Sequence, residues 1–222
     1  MRVSSCRRQV ERVVRKEKPR IAYWLDSSLY LNITNKCSND CWFCFRNFKQ
    51  GMGGFNLKLE REPTTAEVKA ELESTLPLKR WGEVVFCGFG EPTARLDVLL
   101  EVARWLRERC GGLVAVRVDT NGHGYALNKG KDVAGELRNA GVSSVSVSLN
   151  GHDEASYAEN CRPQFEGGFA AVLEFVKKAK MAGLDVEVSA VRMPEVSVEK
   201  VRAVAESLGV PLRVREYIPC FW

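Results

Sequence analysis

Short apolar runs alternate with amphipathic segments along this chain, and few residues separate them. Residues 21–25, the polar step Asp26-Ser27-Ser28 and residues 29–33 predict a strand, a turn and a second strand. Thr64 with Glu67 makes a helix-start capping box, and Val68, Leu72 and Leu76 supply a helical stripe that stops before Pro77. Residues 83–87 predict a buried strand ending at Gly88, residues 95–110 a helix closed by Gly111, and residues 113–118 a strand running into Asp119-Thr120-Asn121-Gly122. A helix near 132–140, a strand at 144–149, a helix near 165–182, a strand at 185–191, a Ser197-capped helix to Leu208 and a strand at 212–217 follow. Such alternation with short links predicts parallel strands joined by right-handed crossovers. A closed eight-stranded barrel takes ~250 residues. The predicted fold class is therefore α/β: a partial (βα)6 TIM-like barrel with parallel strands.

Composition changes this picture little. The 222 residues fit one domain, and 45% hydrophobic with 27% charged content is ordinary for a globular chain. No apolar run reaches bilayer length and the basic N-terminus lacks an apolar stretch, which predicts a cytoplasmic protein with no membrane contact. The net charge of +5 is concentrated. Arg2, Arg7, Arg8, Arg12, Arg15, Lys16, Lys18 and Arg20 face only Glu11 and Glu17, so residues 1–20 carry +6 and the rest about −1. The chain thus divides into a basic head, 1–20, and a barrel domain, 21–222. The head reads either as a contact for nucleic acid or an acidic partner, or as a solvated helix with Val10, Val13 and Val14 on one stripe.

Cysteine placement carries the chemistry. Of the eight cysteines, Cys37, Cys41 and Cys44 lie within one short segment, while Cys6, Cys87, Cys110, Cys161 and Cys220 are scattered. A secreted disulfide scaffold would be shorter and would carry a signal peptide. Three thiolates in Cys37-Ser38-Asn39-Asp40-Cys41-Trp42-Phe43-Cys44, just after a strand, can wrap one small iron–sulfur cluster and leave one iron open. The alternative is a zinc site completed by His123 or His152.

With Phe43 as the aromatic before the third cysteine, this segment resembles the signature of the radical S-adenosylmethionine (SAM) superfamily. That resemblance implies a partial barrel of the radical SAM type, metal ligands Cys37, Cys41 and Cys44, a [4Fe–4S] cluster, and SAM bound through its amino and carboxylate groups. It implies oxidoreductase-like chemistry: reductive cleavage of SAM to a 5′-deoxyadenosyl radical that takes hydrogen from an unidentified substrate, with an electron donor such as flavodoxin or ferredoxin. Gly88-Phe89-Gly90-Glu91-Pro92 resembles the family's Gly-Gly-Glu-Pro motif, with Phe89 where a glycine is usual. It implies that Gly88 and Gly90 allow close backbone approach to the ligand and that Glu91 holds the methionyl amine. The Asp119–Gly122 tail is similar to those beside the SAM carboxylate and ribose in radical SAM activating enzymes, which points to Asp119 and Asn121; read plainly, Asn-Gly is a turn.

Alternation puts Ser146, Ser148 and Asn150 on one face, and Ser148 and Asn150 are candidate ribose partners. Arg162, in a loop with Asn160 and Cys161, is expected either to pair with the SAM carboxylate or an anionic substrate, or to be a surface residue. Gly54-Phe55-Asn56-Leu57, Leu59-Glu60-Arg61-Glu62-Pro63-Thr64, Val85 through Pro92 and Cys161-Arg162-Pro163 resemble the TatD-associated radical SAM subfamily, over about Ser28 to Tyr217.

Gly51-Met52-Gly53-Gly54 lacks the Lys-Ser/Thr pair of a phosphate loop and is expected to form a mobile cover. Cys87 is expected in the core, and Cys161 and Cys220 within reach of the site. His123 and His152 read as an acid or base, or as solvated loop residues. The apolar tail Tyr217–Trp222 after the last strand predicts a large substrate or a partner protein that completes the cover. The competing readings are a glycyl-radical activating enzyme, a deazaguanine-forming synthase, and a non-catalytic metal- or nucleic-acid-binding module.

Overall fold

The computed structural model describes residues 18–75, 77 and 81–217. The basic head before Lys18, the tail beyond Tyr217 and Leu76 lie outside the described residues. Strand β1 (Ala22–Leu25) turns at Asp26, φ 50°, and pairs antiparallel with β2 (Ser28–Leu31). A small hairpin, β3 (Gly51–Met52) and β4 (Phe55–Asn56), follows the cysteine segment. Beyond it come β5 (Glu83–Phe86), β6 (Ala115–Thr120), β7 (Ser144–Ser148), β8 (Asp185–Arg192) and β9 (Leu212–Glu216). The main sheet runs β1-β2-β5-β6-β7-β8-β9, and every pairing from β2 onward is parallel. The expected six parallel strands are present, curled into a half-barrel with β1 added at one edge.

Helices α1 (Thr65–Ser74), α2 (Leu96–Cys110), α3 (Gly124–Leu127), α4 (Val133–Ala140), α5 (Glu154–Cys161), α6 (Gly168–Met181) and α7 (Val198–Leu208) complete the chain. Thr64 and Glu67 form the expected capping box, while Gly111, Gly141 and Gly209 close α2, α4 and α7 in left-handed conformations. Leu31, Phe86, Val118, Val147 and Val188 face the helices and are buried. Burying such side chains is worth ~1.5–3 kcal/mol each, so this face holds the layers together. Strand alternation sends Tyr30, Arg117, Asp119, Ser146, Ser148, Glu187, Arg213 and Arg215 to the opposite, concave face. Among the described residues no helix is long and apolar enough to cross a membrane.

Three local expectations change. Strand β6 begins at Ala115 rather than Leu113, because Gly111 and Gly112 both take positive φ and leave Leu113 71% exposed in the turn. Asn160 and Cys161 belong to helix α5, which Asp153 caps through the Ser156 backbone N–H. The Gly51–Gly54 stretch is a built hairpin rather than a loose cover. Gly53 and Gly54 turn with φ 60° and 86°, and the Phe55 ring packs on Tyr23 and Trp24 of β1.

Candidate functional site

The cysteine segment leaves β2 and is tied down on both flanks. Upstream, Thr34 donates to Glu62 at 2.8 Å, and Glu62 also pairs with Arg95 at 2.9 Å. Downstream, the Asp40 N–H donates to the carbonyls of Cys161 and Arg162, and Gln164 N–H to Ser38. The Trp42 indole donates to Asn160 at 3.3 Å, and the Asn160 amide reaches the carbonyls of Asn150 and Glu195. Trp42 meets Phe43 edge-on at 5.6 Å and Tyr217 at 6.4 Å, so the segment spans the mouth from α5 to the end of β9. Phe43 itself leans on the main core.

The three thiols are partly buried with little cationic company. Burial pushes the Cys37 thiol up to about 12 and raises Cys44, with Arg46 opposing weakly in both cases. A hydrogen bond with the buried Cys161 thiol, then burial, raises Cys41. Backbone N–H groups of Asn39 and Arg46 and the Asn121 amide, at 3.8 Å, point to sulfur. Thiolates here need positive charge from an occupant, and N–H donors are how proteins set an iron–sulfur site. Among the described residues no three His, Cys, Asp or Glu side chains converge on a single metal ion.

Glu91 ends the β5 turn at 3% exposure. Its Oε1 accepts from Thr93 N–H, the Thr93 hydroxyl and the Thr120 hydroxyl, and its Oε2 accepts from Asn121 N–H at 2.6 Å. Burial raises its pKa, while these donors favour the carboxylate. The glycines around it make room for neighbouring protein. A Cβ on Gly88 would meet Asn32 at 2.3 Å, and one on Gly90 would meet the Lys36 carbonyl at 2.4 Å. Both let the turn press against the chain leaving β2, where Glu91 N–H donates to Lys36 and Phe89 N–H to the Asn32 side chain. Phe89 fills a second apolar cluster with Tyr23 and Leu57 and lies under the Arg46 guanidinium at 5.1 Å.

Asn121 joins Glu91 to the cysteines. Its amide donates to Ser38 Oγ at 2.8 Å, and Ser38 in turn meets His123 Nδ1 at 2.9 Å. His123 Nε2 faces the Gly168 carbonyl and the Tyr157 hydroxyl, so the network assigns the proton to Nε2. His123 is fully buried, not a solvated loop histidine, and burial brings its pKa down to about 4. Because the unfolded chain protonates near pH 6.5, the stability tied to neutral His123 is complete above that pH and lost as pH falls toward 4. The loss is about 3 kcal/mol, about 2 of it by pH 5. Urea unfolding of the metal-free protein at pH 7 and pH 5 should show a smaller difference for His123→Gln than for wild type; equal differences would refute this.

The remaining candidates divide. Asp119 lies on the concave wall, bonded to Arg117 at 2.9 Å, and its pKa is raised by burial against the pull of Arg117, Arg213 and Arg215. Ser148 accepts from Arg215 at 3.4 Å on the same wall. Asn150 is occupied internally, its Oδ1 accepting Val191 N–H at 2.8 Å. Arg162 caps α5 at φ 48° and contributes its carbonyl to the cysteine segment, while its exposed side chain lines a shallow cavity with Glu154, Ala158 and Phe165, away from the other candidates. Cys87 faces the concavity rather than the core, with burial raising its thiol. His152 sits outside, 3.4 Å from Asp153. Asn32, Ser38, Glu62, Thr93, Thr120 and Asn160 support the site, and sequence reasoning gave none of them a role there, although Ser38, Glu62 and Thr120 lie inside the motifs it singled out.

A family model described as the radical SAM superfamily matches residues 31–208. The chain is 27% identical over 195 residues to a GTP 3′,8-cyclase of Rhizobium leguminosarum bv. trifolii, covering 86% of this chain and 51% of that protein. It is 31% identical over 173 residues to an Fe-coproporphyrin III synthase of Methanosarcina barkeri, covering 77% and 36%. The chain thus spans about half, or less, of these curated relatives. In fold it is similar to Streptococcus suis SuiB bound to S-adenosylmethionine, with a TM-score of 0.64 at 17% identity, over 87% of this chain and 41% of that one.

Proposed function

Since this chain belongs to the radical SAM superfamily, whose members are enzymes that use a [4Fe–4S] cluster and SAM, we propose that it is a radical SAM enzyme acting on a substrate by hydrogen abstraction. The observation that supports this most is the tie from Glu91 through Asn121 to Ser38 and Cys37, which joins an ammonium acceptor to a three-thiol cluster loop. Cys37, Cys41 and Cys44 ligate the cluster, which when bound supplies the electron that cleaves SAM to methionine and a 5′-deoxyadenosyl radical. Glu91 accepts the methionyl ammonium through Oε2, whose Asn121 bond leaves further acceptor capacity. Asp119 and Ser148 offer hydrogen bonds to the ribose from the concave wall. Asn121, Asn150 and Phe43 hold that site in shape, and Gly88 and Gly90 let the Glu91 turn seat against it. Arg162 acts through its backbone.

The electron comes from a flavodoxin- or ferredoxin-type donor, in the cytoplasm, and the TatD-associated likeness is part of the same reading. The barrel domain from residue 21 carries this chemistry, with the basic head as a separate contact element. The test is anaerobic reconstitution with iron and sulfide, then reduction with dithionite in the presence of SAM. The expected product is 5′-deoxyadenosine. A protein that takes up zinc alone and leaves SAM intact would overturn the reading.

A further inference from the structure

The concave wall carries three arginines, and they are not equivalent. Arg117 bridges Glu83 at 3.1 Å and Asp119 at 2.9 Å. Arg213 pairs with Glu187 at 2.9 Å and also reaches Ser146. Arg215 has no carboxylate at ion-pair distance among the described residues, and its one described hydrogen bond is to Ser148 Oγ at a long 3.4 Å. Most of its donor fork is therefore unspent. Alternation along β9 puts Arg215 on the same face as Tyr217, which meets Trp42 of the cysteine segment, so the guanidinium lies within the concavity below the mouth. Its side chain is exposed to the concavity, across from Cys87 and Asp119 at the ends of β5 and β6 on the other side of the half-barrel. A forked guanidinium that faces a concavity and has no carboxylate partner among the described residues offers a site for an oxyanion.

We propose that Arg215 forms an anion-binding subsite for the substrate, one that takes a carboxylate or phosphate group. This deepens the radical SAM reading and rests on it. Of the groups assigned to SAM, Glu91 follows β5, Asp119 is on β6 and Ser148 ends β7, whereas Arg215 stands on the last strand of the sheet order and bonds only Ser148 among them, at a long 3.4 Å. The subsite thus anchors the far end of the substrate and leaves its reacting carbon toward the cysteine segment. A merely charged side chain would lack the fork that matches an oxyanion.

Isothermal titration of cluster- and SAM-loaded protein with inorganic pyrophosphate and with succinate tests the proposal and separates its two chemistries. One of these anions should bind saturably, at one site per chain. Arg215→Gln should weaken that binding about tenfold or more, and Arg215→Lys should weaken it by a smaller factor. SAM affinity, which Arg215 reaches only through Ser148, should fall by a clearly smaller factor than anion affinity in both variants. A loss of SAM affinity as large as the loss of anion affinity would give Arg215 to the cofactor and overturn the proposal. So would anion binding that both variants retain in full, or no saturable binding of either anion to wild type. Should Arg215→Gln not fold, the Arg215→Lys titration decides alone. Failure of the underlying reading shows separately, as absence of 5′-deoxyadenosine from wild type.

Discussion

Replacing Cys37 or Cys44 with alanine is expected to take bound iron from about four per chain to near zero, and 5′-deoxyadenosine formation with it. Each thiol sits partly buried and receives a backbone N–H, from Asn39 and Arg46 respectively. An iron deprived of either would face only water or backbone. Cys41 differs, because the buried Cys161 thiol shares a hydrogen bond with it and Asp40 N–H clamps the Cys161 carbonyl to the same segment. Any iron left in Cys41→Ala should therefore disappear in Cys41→Ala/Cys161→Ala. Iron and sulfide analysis after anaerobic reconstitution, beside the ultraviolet–visible spectrum, decides the matter. Full iron in Cys37→Ala or Cys44→Ala would refute the assignment.

The strand periodicities made the half-barrel legible, because every parallel strand buries one face under helices and must alternate or run apolar. The capping box at Thr64 and the closing glycines Gly111 and Gly141 were legible for a similar reason: each acts on residues within a turn of itself. Helix α5 escaped because it is short and its capping pair, Asp153 with Ser156, sits in a polar stretch without an apolar stripe. The cysteine loop was legible as a motif, but not what holds it. Asn32 bonds residues 12, 25 and 57 positions away, Ser38 meets His123 85 positions on, and Trp42 meets Asn160 118 positions on. Such partners leave no local period. Gly88 and Gly90 signal a close approach, and the protein atoms nearest an added Cβ belong to Asn32 and Lys36. A glycine reports that something comes close without reporting what. Arg162 shows the same limit: it caps α5 rather than sharing a loop with Asn160 and Cys161, and its contact with the cysteine segment is through the carbonyl.

Glu91→Gln should weaken SAM binding by ~1.5–3 kcal/mol, about 10- to 150-fold, in protein that keeps its cluster. The geometry says why the change is not conservative. Oε1 is saturated by Thr93 N–H and by the Thr93 and Thr120 hydroxyls, so a glutamine must place its oxygen there. Its amide nitrogen then occupies the Oε2 position, facing Asn121 N–H, formerly a donor at 2.6 Å, and facing the incoming ammonium as well. Donor meets donor twice. The Asn121 contact alone should lower the stability of the metal-free protein by ~1–3 kcal/mol, because a buried N–H is left unpaired. Asp119→Asn makes the contrast: Asp119 is bonded to Arg117 and half-buried on the wall, so its loss should reduce SAM affinity less than the loss of Glu91. Titrations of SAM into both variants, each checked for iron content and for its urea midpoint, separate the ligand contact from the fold. Wild-type SAM affinity in Glu91→Gln would remove Glu91 from the site, and with it the link by which Asn121 joins ammonium and cluster.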